Sequence, residues 1–82
     1  NPFNPSTTIN FQIPKSSEVR LVVYNVLGQK VRTLVNQHLE TGYYKVVWDG
    51  RNEQGEPVAS GVYIYRFKAG DFQRDYKMIL LR

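Results

Sequence analysis

The chain contains no cysteine, which rules out a disulfide framework, a thiolate metal site and a cysteine nucleophile together. It holds one histidine, His38, one tryptophan, Trp48, and one methionine, Met78, among its 82 residues. No apolar run approaches the roughly 18 residues that a membrane-spanning helix needs, so no transmembrane segment is expected. No initiator methionine stands before Asn1, and the expectation is a soluble fragment of a larger protein. No run of like charge occurs either. Eleven Lys and Arg against seven Asp and Glu give a net charge of +4, but Lys15, Arg20, Lys30, Arg32, Lys45, Arg51, Arg66, Lys68, Arg74, Lys77 and Arg82 are scattered. Scattered cations fit solvated strand faces better than a nucleic-acid surface, which concentrates its charge on one helix or ribbon. No nucleic-acid partner is expected.

What the sequence has is alternation. Apolar residues recur at period two in one segment after another, and Gly, Pro, Asn and Asp interrupt them at short intervals, the pattern of an all-β domain. Thr8 to Ile13 reads as a strand with Ile9, Phe11 and Ile13 on one face, ended by Pro14, which cannot donate to a ladder. Glu18 to Val26 follows, with Val19, Leu21 and Val23 inward and Arg20, Val22 and Tyr24 outward. A hairpin about Leu27-Gly28-Gln29 leads into Lys30 to Val35, where Val31 and Leu34 break the alternation and predict a bulge or a bending edge strand. Arg32 to Leu39 is the only stretch that could coil into a helical turn, a reading not favoured. After Thr41-Gly42 a fourth strand runs to Trp48, the largest expected core residue. Asp49 to Ser60 is polar and aperiodic, a long connection between two sheets that Val58 anchors to the core. Val62 to Ala69, with Tyr63, Tyr65 and Phe67 on one face, and Phe72 to Leu81 complete an antiparallel set of about seven strands.

A chain of this length buries only about 60% of its unfolded surface, so every strand must contribute to one core. Antiparallel strands with one polar face bury the other against a second sheet. The expected fold is a β-sandwich over residues 1–82, with 1–6 an extended entry segment. Eleven aromatics supply bulk for a small core, and the hydroxyls of Tyr63 and Tyr65, if buried, need partners such as a carbonyl of a neighbouring loop.

Nothing in the residues assembles a catalytic centre. His38 lies in a turn without a patterned nucleophile. The carboxylates Glu18, Glu40, Asp49, Glu53, Glu56, Asp71 and Asp75 sit near turns and strand ends of a domain too small for a sugar-binding cleft. The loop Asp49 to Glu56 has oxygen ligands and glycines but lacks the acidic spacing of a calcium loop and includes Arg51; a solvated turn is the better reading, a weak calcium site the other. Tyr24, Tyr43, Phe72 and Tyr76 suit either strand packing or a sugar-stacking platform. No enzyme activity, cofactor or metal is expected.

The segments Asn1-Pro2-Phe3-Asn4-Pro5, Val23 to Val31, Trp48 to Glu53, Ser60 to Phe67 and Lys77 to Arg82, in this order, resemble the type A C-terminal sorting domain of the type IX secretion system over essentially the whole chain. Trp48-Asp49-Gly50 and Gly61-Val62-Tyr63 are also similar to the Ig-like domain of flagellar hook-capping proteins. Both resemblances imply an Ig-like sandwich. The entry segment and the terminal strand favour the sorting family, which implies a non-catalytic domain that directs a fused cargo across the outer membrane to the cell surface or medium. Implied partners are the outer-membrane translocon, its shuttle proteins and a sortase-like protease that cuts before or near Asn1. The implied sorting motif is Pro2, Asn4 and Pro5, then Gly61 and Tyr63, then Lys77, Met78, Leu80 and Arg82. Met78 to Leu81 in a row would bury both faces of the last strand if a partner covers it. The rival reading is a passive Ig-like accessory or carbohydrate-binding module of a secreted multidomain enzyme.

Overall fold

A computed structural model describes residues 6–82. Six strands form, β1 (Thr7–Ile13), β2 (Ser17–Asn25), β3 (Lys30–Leu39), β4 (Gly42–Trp48), β5 (Gly61–Ala69) and β6 (Phe72–Leu80). They make two antiparallel sheets, β1-β4 and β3-β2-β5-β6. The count falls one short of the expected seven because the segment between β4 and β5 contributes only a single bridge, Arg51 to Pro57. Two glycines, a proline and a run of polar side chains in that segment favour turns over a ladder. Pro2, Asn4 and Pro5 lie outside the described residues.

The inward residues follow from period two. Val19, Leu21 and Val23 of β2, Tyr63 and Phe67 of β5, Leu80 of β6 and Ile9 and Ile13 of β1 are all buried, as is Trp48 at the end of β4. They divide into two clusters. One gathers Ile9, Ile13, Val19, Leu21 and Phe67; the other gathers Val23, Val31, Trp48, Tyr63 and Leu80, with Leu34 and Tyr65 packed against both. Trp48 meets Tyr63 edge to face at 5.2 Å between centroids, an arrangement the ring quadrupoles favour. Val58 packs on the Trp48 cluster as expected.

β3 runs as a strand through Leu39 rather than stopping at Val35 or coiling into a helical turn. The broken alternation at Val31 and Leu34 coincides with register shifts between Leu21 and Val22 and between Val23 and Tyr24, so β3 is the irregular edge strand that the spacing suggests. Val22 departs from expectation: it points away from the core with Arg20 and Tyr24, yet is buried. Arg66 lies directly opposite it, and the Arg66 guanidinium sits over the Tyr24 ring at 5.4 Å, so long stems cover the outward valine.

The β2–β3 turn shows why glycine stands there. Gly28 takes a φ of 80°, and Asn25 Oδ1 accepts from the backbone N–H groups of Leu27 and Gln29, a side-chain turn that only a residue at ease with positive φ completes. The β1 and β4 strands pair from Thr7–Trp48 to Ile13–Gly42, and β4 approaches β3 on one side of the sandwich. On the other side β1 and β6 each present an edge that nothing among the described residues pairs.

Candidate functional site

Two segments of the expected sorting motif lie 14 residues apart in sequence, from Tyr63 to Lys77, and the register brings them together. Gly61 pairs with Leu80, Val62 with Ile79, Tyr63 with Met78 and Ile64 with Lys77. Tyr63, Met78 and Leu80 then point into the Trp48 cluster, while Lys77 and Ile79 point outward, Ile79 61% exposed. Leu81 is also exposed. The terminal strand therefore buries one face and not both; its outward face stands open.

Among the described residues of the expected motif, Gly61, Tyr63 and Arg82 have local reasons for their positions. Gly61 takes a φ of 152° with nothing within 4 Å of an added Cβ, so the constraint there is backbone conformation and not space. The Tyr63 hydroxyl donates to the Ala59 carbonyl at 2.6 Å, the loop bond that a buried phenol requires. Tyr65, by contrast, stacks on Tyr76 at 4.9 Å, and burial pushes its phenol above the ordinary value, with Tyr76 adding to it. Arg82 reaches back over the connecting loop. Its backbone N–H donates to Ser60 Oγ at 3.0 Å, Nε to the Val58 carbonyl at 2.5 Å and Nη2 to the Gly50 carbonyl at 2.6 Å. The scatter of cations fits Arg82 to a solvated strand face; its guanidinium is instead spent on backbone carbonyls, a contact between residues 32 positions apart that no local pattern signals.

The loop from Asp49 to Ser60 is built around these contacts. Trp48 Nε1 donates to the Arg51 carbonyl at 2.9 Å, which satisfies the one polar group on a fully buried ring. Asn52 Oδ1 accepts from the N–H groups of Gln54 and Glu56, and Arg32 donates to Asp49 Oδ1 at 3.2 Å. The loop carboxylates thus face Arg32, Asn52 and backbone rather than one another, and among the described residues no group of three or more His, Cys, Asp or Glu converges on a metal position. Glu53 and Asp49 both approach Arg32.

His38 sits on the exposed face of β3 between two carboxylates, with Nδ1 2.8 Å from Glu18 and Nε2 3.0 Å from Glu40. These hydrogen bonds, Glu18 first and then Glu40, raise its pKa above the ordinary 6.5. Among the described residues its hydrogen-bond contacts are these two carboxylates, and the histidine is a bridged surface residue. The four aromatics considered for a platform do not share a plane. Tyr24 lies outward under Arg66, Tyr43 is exposed on the outer face of β4, and Phe72 and Tyr76 lie inward, against Phe67 and Tyr65 respectively.

The family model described as the FlgD Ig-like domain matches residues 3–71. The chain belongs to that family. No curated protein matches the sequence. Among solved structures, FlgD from P. aeruginosa superposes with a TM-score of 0.69 at 21% identity, over 92% of this chain and 59% of that one. At that identity the likeness establishes the fold, an antiparallel Ig-like sandwich. This FlgD Ig-like domain spans somewhat over half the length of the FlgD chain it resembles. The matched region stops at Asp71, so β6, with Lys77, Met78, Leu80 and Arg82, lies beyond it.

Proposed function

We propose that this FlgD Ig-like domain works as a non-catalytic sorting and anchoring module, directing a fused cargo across the outer membrane by type IX secretion to the cell surface or medium. The observation that carries the reading is the pairing of the Gly61–Tyr63 segment with the Lys77–Leu80 segment, which makes one unit of two motifs that are separate in sequence. That unit offers an outward face of Lys77, Ile79 and Val62 at a sheet edge, a form suited to recognition by the translocon and its shuttle proteins through strand addition and charge. Pro2, Asn4 and Pro5 belong to the same proposed signal, and a sortase-like protease would act before or near Asn1. Catalysis belongs to the cargo.

The test is export of a fluorescent protein carrying a signal peptide and this domain, in a host with the type IX machinery. Fluorescence is expected on the surface or in the medium. Deleting Tyr76 to Arg82 should abolish export, but Leu80 is a core residue, so Lys77→Glu with Ile79→Asp is the cleaner variant because both side chains are exposed. Export of that double variant at the level of the intact fusion would refute the sorting role of the tail. Periplasmic retention of the intact fusion would favour the passive accessory or glycan-binding module.

A further inference from the structure

The sandwich is lopsided, with two strands facing four. β1 and β4 face the four-stranded sheet, and the inner side of β6 is buried at Leu80 but exposed at its other end, at Phe72 and Arg74. Phe72, Arg74 and Tyr76 stand on that side, because they alternate with the residues paired to outward Lys68, Arg66 and Ile64. Phe72 is 53% exposed. Beside them runs a recess of about 330 Å³, lined by four consecutive β1 residues, Ile9 to Gln12, and by Tyr65 and Tyr76 with Phe67 and Phe72. Four residues in a row form a wall only where a strand turns its edge to the space, and the opposite edge of β1 is occupied by β4 along its whole length. A second recess of about 470 Å³ continues it past Phe72 toward Pro14, with Lys15 and Asp71 both on its lining, so the acidic residue of an occupant belongs at Arg74 and not at that end.

The two unpaired edges on this side differ. β6 carries Arg74, Asp75 and Lys77, charges that restrict its edge to partners able to complement them. β1, with the sequence TTINFQI, carries no charge, and Pro14 stands only after its end. Its unpaired N–H and C=O groups border an aromatic floor.

We propose that the free edge of β1 is a docking site for an extended acidic segment of another protein, added as a third strand to the β1-β4 sheet. Strands in one sheet lie about 4.8 Å apart and facing sheets about 10 Å apart, so a strand at this edge lies over Phe67, Phe72 and Tyr76. Alternate side chains of the segment point to that floor: apolar ones cover Phe72 and Tyr76, and a carboxylate meets Arg74. Arg74 holds its guanidinium 5.4 Å above the Tyr76 ring, and among the described residues no carboxylate pairs with it. The same charge argues against a second copy, since its β1 edge has no carboxylate to offer and the Asp75 carboxylate of its β6 edge is already held by Arg66.

The experiment uses the 82-residue domain and a synthetic peptide, acetyl-Thr-Val-Thr-Asp-Thr-Phe-Thr-Val-Thr-amide, with binding followed by NMR. The peptide should shift β1, Phe67, Phe72 and Arg74 resonances and slow exchange of β1 amides. Arg74→Glu should weaken binding roughly tenfold, about the worth of one charge-assisted contact, and a peptide with Lys in place of Asp should recover it on that variant. A peptide N-methylated at alternate residues, which keeps the side chains but loses strand hydrogen bonds, should not bind. Equal binding of the methylated peptide, shifts confined to β6, no shifts at millimolar peptide, or concentration-dependent self-association through β1 would each overturn the proposal. Because this assay involves no export machinery, its outcome is independent of the sorting test.

Discussion

Replacing Tyr63 by Phe removes one oxygen and tests how the loop between the sheets is held. The phenol donates to the Ala59 carbonyl at 2.6 Å from a ring that is 7% exposed. A hydrogen bond of this kind contributes about 0.5–1.5 kcal/mol net, and an acceptor left without a partner adds to the loss. The expected cost is therefore about 1–2 kcal/mol, equivalent to a fall of roughly 5–10 °C in Tm for a domain of this size. Tyr65→Phe is the internal control. Its ring is also packed, but among the described residues its hydroxyl makes no bond comparable to that of Tyr63, so the change should be within about 0.5 kcal/mol. Urea unfolding followed by Trp48 fluorescence and by far-ultraviolet circular dichroism measures both. The slope should be unchanged while the midpoint moves. Equal losses in the two variants, or a loss below about 0.3 kcal/mol for Tyr63→Phe, would refute the assignment of the bond as the loop's anchor.

Gly61→Ala should destabilise by about 1–3 kcal/mol through backbone strain alone, measurable by the same urea titration, since an added Cβ meets nothing within 4 Å. Arg82→Ala should leave the far-ultraviolet spectrum intact but speed amide exchange at Val58, whose N–H donates to the Gly50 carbonyl, because the guanidinium bridges Gly50 and Val58. His38 is held above its ordinary pKa by Glu18 and Glu40, so its contribution to stability is full below the unfolded value of 6.5 and is lost as pH rises through the higher folded value. The Tm should accordingly decline modestly as pH rises from the acid to the alkaline side of neutrality, and His38→Gln should flatten that part of the profile. Tyr65 gives the corresponding signal at the alkaline end: its phenol is raised above 10.0 by burial, so stability present below that value falls as pH climbs through the folded pKa.

Much of the fold was legible because period two places Val19, Leu21, Val23, Tyr63 and Phe67 on inward faces whatever the strand order. Trp48 was legible by size and by its place at the end of an alternating run. The loop bond of Tyr63 followed from the need to satisfy a buried phenol, although alternation alone could not choose between Tyr63 and Tyr65. The extent of β3 was not legible, because Asn36, Gln37 and His38 lack an apolar face; they extend as a strand because Glu18, Val19 and Arg20 of β2 supply a ladder. Nor was the burial of Val22, which depends on stems from two strands folding over it. The meeting of the Gly61 and Lys77 segments depends on which strands are neighbours, and the Arg82 clasp depends on a loop conformation that the residues of that loop do not reveal by pattern.

The placement of the two outermost strands has a mechanical consequence. Thr7 begins β1 opposite Trp48, and Leu80 ends β6 within the Trp48 cluster, so the first and last strands are entered and left at the same end of the sandwich. Tension applied between those points does not slide the strands along one another, which would require every bond in a ladder to yield together. It peels β1 from β4 and β6 from β5 one bond at a time, starting where the force enters. The Arg82 contacts to Gly50 and Val58 are the first to bear that load on the β6 side. The core that opposes unfolding by denaturant is therefore not what opposes a pull on Thr7 and Leu80, and single-molecule pulling of Arg82→Ala should show the β6 side giving way at lower force.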